Sequence, residues 1–149
     1  MSKDINNDLA RENLSIADDA RRIKAFVLDE IIVAFVVAIA LWEPLSSAGD
    51  LLTQMEIINS NVIFVVLFKL LYHTLFTAFY GATLGKMWQR IFVITADGFE
   101  KPPIRISFAR ASMRIVSELA LWYGFLWAFG SQLRQTWHDK AANTIVINA

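Results

Sequence analysis

Two long apolar runs, flanked by polar stretches, dominate the hydropathy pattern of the chain. The first extends from Ala25 to Trp42 and the second from Val62 to Tyr80. As helices with a rise of about 1.5 Å per residue, each is about 27–29 Å long, close to the roughly 30 Å hydrocarbon core of a bilayer. We therefore predict two transmembrane helices, over residues 22–42 and 62–80. Residues 1–20 are polar and lack the apolar run of a secretory signal peptide.

A third hydrophobic element covers residues 115–133. It contains Glu118 and is interrupted by Gly124 and Gly130, so its path is left open between a simple span and a segment that enters and leaves on one side.

Two short β-branched segments indicate a strand pair. Ile91–Thr95 is followed by the turn pair Asp97 and Gly98, and Thr144–Ile147 lies near the chain end. Neither strand is long enough to be stable alone, and pairing the two with each other satisfies the backbone hydrogen-bonding groups along one edge of each. The pair requires the C-terminus to lie on the same side as residues 91–95, which favours a re-entrant path for 115–133. If 115–133 spans instead, residues 144–147 become a tail on the opposite side.

Composition places the chain in lipid. Of its 149 residues, 56% are hydrophobic and 19% are charged, and the mean hydropathy is +0.43, more apolar than a soluble domain of this size. The chain has no cysteine, which excludes a disulfide scaffold. Its net charge of zero gives no field that would attract nucleic acid. The predicted fold class is thus an all-α membrane protein with a small cytoplasmic cap formed by residues 86–114 and 134–149.

Lysine and arginine positions predict the orientation. Residues 1–24 and 81–114 are rich in both, whereas the connection 43–61 has neither. By the positive-inside rule, the N-terminus and residues 81–114 face the cytoplasm and residues 43–61 face outward.

Ionisable residues inside the predicted helices are the candidate functional site. If the two helices are antiparallel neighbours, Asp29 or Glu30 meets Lys69 or His73 at matched depth. Arg110, Arg114 and Glu118 form a second i, i+4, i+8 series at the start of the third element. The carboxylates outnumber Lys69 by two unless Arg22 or Arg114 approaches them. Two interpretations remain open, namely a static polar network that locks the helices together and a site for a proton or small cation.

Three segments resemble the RDD family of small bacterial membrane proteins. They are Arg22-Ile-Lys-Ala-Phe-Val-Leu-Asp29, the region from Thr83 to Gly98, and Gln135-Thr-Trp-His-Asp139-Lys-Ala-Ala-Asn-Thr-Ile-Val-Ile147. The resemblance covers about residues 18–147 and implies a multi-pass protein of the bacterial inner membrane, with Asp139 as the second family aspartate. The sequence departs from the family pattern at Arg90, Phe92 and Asn143. The resemblance also suggests the hypothesis that Arg22 holds Asp139 at the inner membrane surface.

The two interpretations of the ionisable residues, a static polar network and a proton or cation site, lead to two functional expectations. We expect a non-catalytic subunit that packs against itself or a larger membrane complex, with no cofactor and no metal. The alternative is a cation or proton transporter, which would have to be a homo-oligomer because two spans cannot enclose a path. Gly81 and Gly85 are interpreted either as a helix–helix packing patch or as a helix end. No serine or cysteine nucleophile lies beside a base, and His73 and His138 are too far apart in sequence to suggest a zinc motif.

Overall fold

The computed structural model describes residues 2–119 and 133–148 as a helical protein with a two-stranded sheet. The helices are α1 (Ser2–Arg11), α2 (Asp19–Ala40), α3 (Trp42–Ser47), α4 (Leu51–Ser60), α5 (Val62–Tyr80), α6 (Leu84–Trp88), α7 (Ile104–Leu119) and α8 (Trp137–Ala141). The strands are β1 (Ile91–Thr95) and β2 (Thr144–Asn148). Helix α2 packs on α6, α5 packs on α7, and α7 packs on α8.

Helix α2 buries a narrow stripe and exposes the rest of its apolar surface. The buried stripe is Ala25, Asp29 and Val33, one residue per turn, whereas Ile31 and Phe35 are exposed. A soluble helix has the opposite arrangement, because its apolar side chains avoid water. The exposed apolar surface of α2 therefore needs cover from lipid or from another protein surface.

Helix α5 follows the same rule more strongly. Its buried residues, Tyr72, His73, Thr74 and Thr77, all carry polar groups. Within the described residues, α5 is the one helix that is long and apolar enough to cross a membrane. Only 22% of its most apolar 18-residue stretch is buried. That low fraction distinguishes it from the core helix of a soluble protein, which is mostly buried.

The two full spans expected from the sequence are therefore supported by composition for α5 alone. Helix α2 has 22 residues, which is long enough, but Lys24, Asp29 and Glu30 lie within it. Whether it can lie in lipid depends on how these charges are paired. Between α2 and α5, the connection predicted as an outer loop forms α3 and α4, which start near Pro44 and Asp50, two residues typical of helix N-termini.

The strand pair predicted from the sequence is confirmed. Strands β1 and β2 are antiparallel, with Ile91 opposite Asn148 and Thr95 opposite Thr144. Ile16 adds a bridge to Ile147 at the outer edge of β2, so the N-terminal segment covers that edge. Residues Ile91, Val93, Ile145 and Val146 form the almost completely buried centre of this cap.

Helix α7 crosses the boundary predicted between the cytoplasmic segment 86–114 and the hydrophobic element 115–133. It begins at Ile104 and continues to Leu119, placing both parts on one helix. The prediction for the remainder of that element, including Gly124 and Gly130, falls on residues 120–132, which lie outside the described residues.

Candidate functional site

Asp29 is the most enclosed carboxylate of α2. It is fully buried and accepts three hydrogen bonds, from the Tyr72 hydroxyl at 2.7 Å, the Thr83 hydroxyl at 2.6 Å and the Gly85 backbone N–H at 2.9 Å. Three short hydrogen bonds stabilise a carboxylate. All three donors to Asp29 are neutral groups. We call Asp29 and these three donors the Asp29 cluster.

Two glycines bring the donors to Asp29. Gly81 ends α5 in the left-handed conformation, with φ of +72°. The chain then turns so that Thr83 precedes α6. At Gly85, a Cβ atom would lie 2.8 Å from Asp29 Oδ1 and would overlap the Ala25 carbonyl oxygen. Gly81 is therefore a helix end and Gly85 a close-packing position, so each of the two sequence interpretations holds at one glycine.

A second group closes into a ring of alternating charge. Lys69 Nζ lies 3.0 Å from Glu30 Oε2 and 2.6 Å from Glu118 Oε2. Arg114 Nη2 lies 3.1 Å from Glu30 Oε1, and its Nε lies 3.1 Å from Glu118 Oε1. We call these four residues the charge ring. The charges of these two cations and two carboxylates, contributed by α2, α5 and α7, cancel. The Arg114 guanidinium also lies over the Phe26 ring, with its Cζ atom 5.0 Å from the ring centroid.

The charge ring answers the carboxylate excess counted in the sequence. Arg114 supplies the additional positive charge that Glu30 and Glu118 require. Asp29, the third carboxylate, is held by the hydroxyl and amide donors of its own cluster. Neutral donors do not enter a charge count, which is why the count left Asp29 without an explanation.

The third group surrounds Asp139, which is fully buried in α8. Arg22 and Arg110 both donate to its carboxylate, the Arg110 Nε at 3.0 Å. The Thr136 backbone N–H donates at 3.1 Å, completing a capping box at the start of α8. Arg22 also donates to the Arg134 carbonyl oxygen. The structure thus places Arg22 on Asp139, the pairing hypothesised from the sequence, and adds Arg110, which the sequence analysis had not linked to it.

Asp139 stays ionised in this setting. Burial alone would raise the pKa of its carboxyl, but Arg110 and Arg22 outweigh burial and hold that pKa well below the usual range. The cluster therefore joins α2, α7 and α8 by a permanent charge interaction at one level of the fold.

His73 differs from its expected role. Asp29 accepts its hydrogen bond from Tyr72 rather than from His73, and the two rings meet edge to face with centroids 5.0 Å apart. The Nε2 atom of His73 is buried without a hydrogen-bond partner in the described structure. Of the four residues expected to meet at matched depth, Glu30 and Lys69 are the pair in direct contact.

Sequence reasoning missed the neutral members of the site. Thr83 and Thr136 precede short helices, and a threonine in that position is a helix-start signal that could have identified them. Tyr72 and Gly85 carry no such signal, since their role depends on the turn after α5. Within residues 2–119 and 133–148, no three His, Asp or Glu side chains are grouped to hold a metal ion.

Comparison with known proteins identifies one family. The family model described as the RDD family matches residues 16–143, which is most of the chain. No curated protein and no solved structure matches the sequence.

Proposed function

Because the chain belongs to the RDD family, a family of membrane proteins, we propose that it is a non-catalytic helix-packing subunit of a membrane assembly. Its partner is a transmembrane helix of a larger complex or of a second copy. The alternative is a cation or proton transporter, and the same experiments distinguish the two.

The observation that carries the proposal is that the carboxylates between the helices all have partners within the protein. Glu30 and Glu118 are neutralised in the charge ring, and Asp29 accepts three hydrogen bonds. A transported cation would have to displace these internal partners, each of which stabilises a carboxylate in a poorly solvated setting. Such a network fits the locking of helices better than the repeated binding and release of an ion.

The exposed face of α2 supplies a surface for a partner helix. Ala34 and Ala38 lie four residues apart and are both exposed, beside Phe35, which is 66% exposed. In lipid, apolar surface alone does not drive association, but small residues at i and i+4 allow two helix backbones to approach closely. The Ala34–Ala38 face is accordingly the proposed contact.

The proposal includes a multi-pass topology in the bacterial inner membrane. Helix α5 is one span, and α2 is the second because Asp29 is buried and Glu30 is ion-paired within the protein. The basic residues of 1–24 and 81–114 favour a cytoplasmic location for these segments by the positive-inside rule. The pairing of β1 with β2 supports a C-terminal segment on that same side.

Association is tested by extracting the full chain from its native membrane and measuring the mass of the particle. We expect a stoichiometric complex, or a homo-oligomer, that Ala34→Leu or Ala38→Leu dissociates. Val36→Leu is the matched control, since Val36 lies about 200° around the helix from Ala34. A monomer from the native membrane, or equal dissociation by all three variants, contradicts the proposal.

Transport is tested with the purified chain in sealed vesicles. We expect no flux of protons or sodium ions under an imposed pH or sodium gradient. Flux that Asp29→Asn abolishes and Glu43→Gln preserves would replace the proposed role with transport, because Glu43 lies on the exposed helix α3 and outside the buried network.

A further inference from the structure

A small cavity lies between the ends of α5 and α7 and the short helices α6 and α8, and its walls are unusually basic. Its volume is about 10 Å³. Its basic lining residues are His73, Lys86, Arg110, Arg114 and His138. Among the described residues, no aspartate or glutamate lines it.

The charged groups around the cavity do not balance. The Asp29 cluster, the charge ring, the Asp139 cluster and the neighbouring Lys86 together contain five cations and four carboxylates. The cations are Arg22, Lys69, Lys86, Arg110 and Arg114. The carboxylates are Asp29, Glu30, Glu118 and Asp139. One positive charge is left over, and Lys86 is the cation that makes no ion pair with a carboxylate in the three groups. A net charge in a poorly solvated site is costly unless an opposite charge accompanies it.

A buried donor also faces this space. His73 is only 5% exposed, lines the cavity, and has an Nε2 atom without a hydrogen-bond partner in the described structure. An imidazole always carries at least one ring N–H, which can be placed on Nε2 and donated to a ligand. A buried polar atom without a protein partner is costly, so a ligand that accepts its hydrogen bond would stabilise the site.

We propose that this cavity binds a single chloride ion, held by Lys86, the neighbouring arginines and the Nε2–H of His73. The leftover positive charge and the absence of carboxylates in the lining favour an anion over a cation or a neutral water. The volume is close to that needed for one water-sized occupant, which favours a monoatomic anion over a phosphate or a lipid headgroup. The ion would link α5, α6, α7 and α8 at one point.

The electrostatics of the surrounding residues agree with this assignment. Burial lowers the pKa of Lys86 well below its usual value, and Arg110 lowers that pKa further. Burial likewise lowers the pKa of His138, against the attraction of Asp139. An anion in the cavity offsets the repulsion between Lys86 and the neighbouring Arg110.

The experiment measures thermal unfolding of the purified full chain while sodium chloride replaces sodium gluconate at constant ionic strength. We expect the Tm to rise and saturate with chloride, because a ligand that binds the folded state stabilises it. Lys86→Gln and His73→Gln should weaken the apparent chloride affinity about tenfold or more, the loss of one charge-assisted hydrogen bond. Lys24→Gln, which removes a charge from the exposed surface of α2, should leave the affinity unchanged.

A second measurement does not depend on the folding of the variants. Crystals of the wild-type chain grown in sodium bromide should show an anomalous scattering peak between His73 and Lys86. Any of three results would overturn the proposal. They are a Tm that does not change when chloride replaces gluconate, an equal effect of Lys24→Gln and Lys86→Gln on the chloride affinity, and density without anomalous signal in the cavity. None of these outcomes bears on whether the chain has a partner helix.

Discussion

The Arg22 guanidinium donates a hydrogen bond to the Asp139 carboxylate, which lies 117 residues later in the chain. Arg22 is in the first turns of α2, and Asp139 is in the short helix α8 immediately before β2. Since Arg110 of α7 binds the same carboxylate, one buried aspartate joins three helices. The contact fixes the C-terminal segment against the start of the first long helix.

Replacing Asp139 should destabilise the protein strongly. In Asp139→Asn, the part-buried Arg22 and the buried Arg110 face a neutral amide and lose their counter-charge. We expect the free energy of unfolding to fall by about 3–5 kcal/mol, as for other broken buried ion pairs, measured by denaturation in detergent. Asp8→Asn is the matched control, because Asp8 pairs with Arg11 on the surface. A loss no larger than that of the control would contradict a structural role for the Asp139 cluster.

The Arg22–Asp139 contact could be anticipated because it follows from topology. Once β1 and β2 are expected to pair, both ends of the described chain lie on one side, and Arg22 has no intrahelical partner. Glu30 and Lys69 could be placed together for a related reason, since the depths of charges in antiparallel helices can be counted. For Glu30 and Lys69, charge and distance along the chain were sufficient, whereas the choice of Asp139 as the partner of Arg22 also needed the family resemblance.

The surroundings of Asp29 could not be reached by such counting. Its partners are a tyrosine hydroxyl, a threonine hydroxyl and a backbone N–H, and these groups add no charge to the total. Two of them reach Asp29 only because Gly81 reverses the chain after α5. The position of a turn residue in space is a tertiary property, and hydropathy does not record it. Helix α7 shows the same limit of hydropathy, because the change in hydropathy at residue 115 does not end the helix that begins at Ile104.

Gly85 should tolerate no side chain. In Gly85→Ala, the new methyl group would lie 2.8 Å from Asp29 Oδ1 and overlap the Ala25 carbonyl oxygen, so α6 has to move away from α2. We expect a net loss of about 2 kcal/mol or more in unfolding free energy, because overpacking outweighs the roughly 1 kcal/mol gained in helix propensity.

Gly49→Ala is the control for that prediction. No atom lies within 4 Å of a Cβ built at Gly49, so the change should alter stability by no more than about 0.5 kcal/mol. Equal effects of the two substitutions in the same denaturation assay would show that the close approach of α6 to α2 is wrong.

The charge ring should respond as a unit rather than as separate pairs. Lys69→Gln leaves Glu30 and Glu118 with Arg114 as their shared cation, whereas the double variant Lys69→Gln, Glu118→Gln restores the balance of charge. We therefore expect the double variant to be more stable than the sum of the two single variants implies, with a coupling of about 0.5–3 kcal/mol. A double-mutant cycle in unfolding free energy measures this coupling. Additive effects would mean that the four side chains do not share a network.

Stability should fall when the pH drops below the usual pKa of histidine, in part because of His138. Burial lowers the pKa of His138 well below its usual value of about 6.5, so below that pH the unfolded chain binds a proton that the folded chain excludes. The unfolding free energy then falls by at most about 1.4 kcal/mol per pH unit for this residue. Thermal unfolding between pH 7.5 and 5.5 should show a smaller decrease in His138→Gln than in the wild type. Parallel curves for the two proteins would exclude this contribution.

The strand pair makes a prediction about sidedness that labelling can test directly. Because β1 and β2 are hydrogen-bonded neighbours, the turn after β1 and the helix before β2 must lie on one side of the membrane. The chain has no cysteine, so single cysteines can be introduced without background. In inside-out vesicles treated with a membrane-impermeant maleimide, Gly98→Cys and Ala141→Cys should both react, whereas Gly49→Cys, in the connection between α2 and α5, should react only in right-side-out vesicles. If Gly98→Cys and Ala141→Cys react from opposite sides, the strand pairing is wrong, and if Gly49→Cys reacts on the same side as both, α2 and α5 do not cross as proposed.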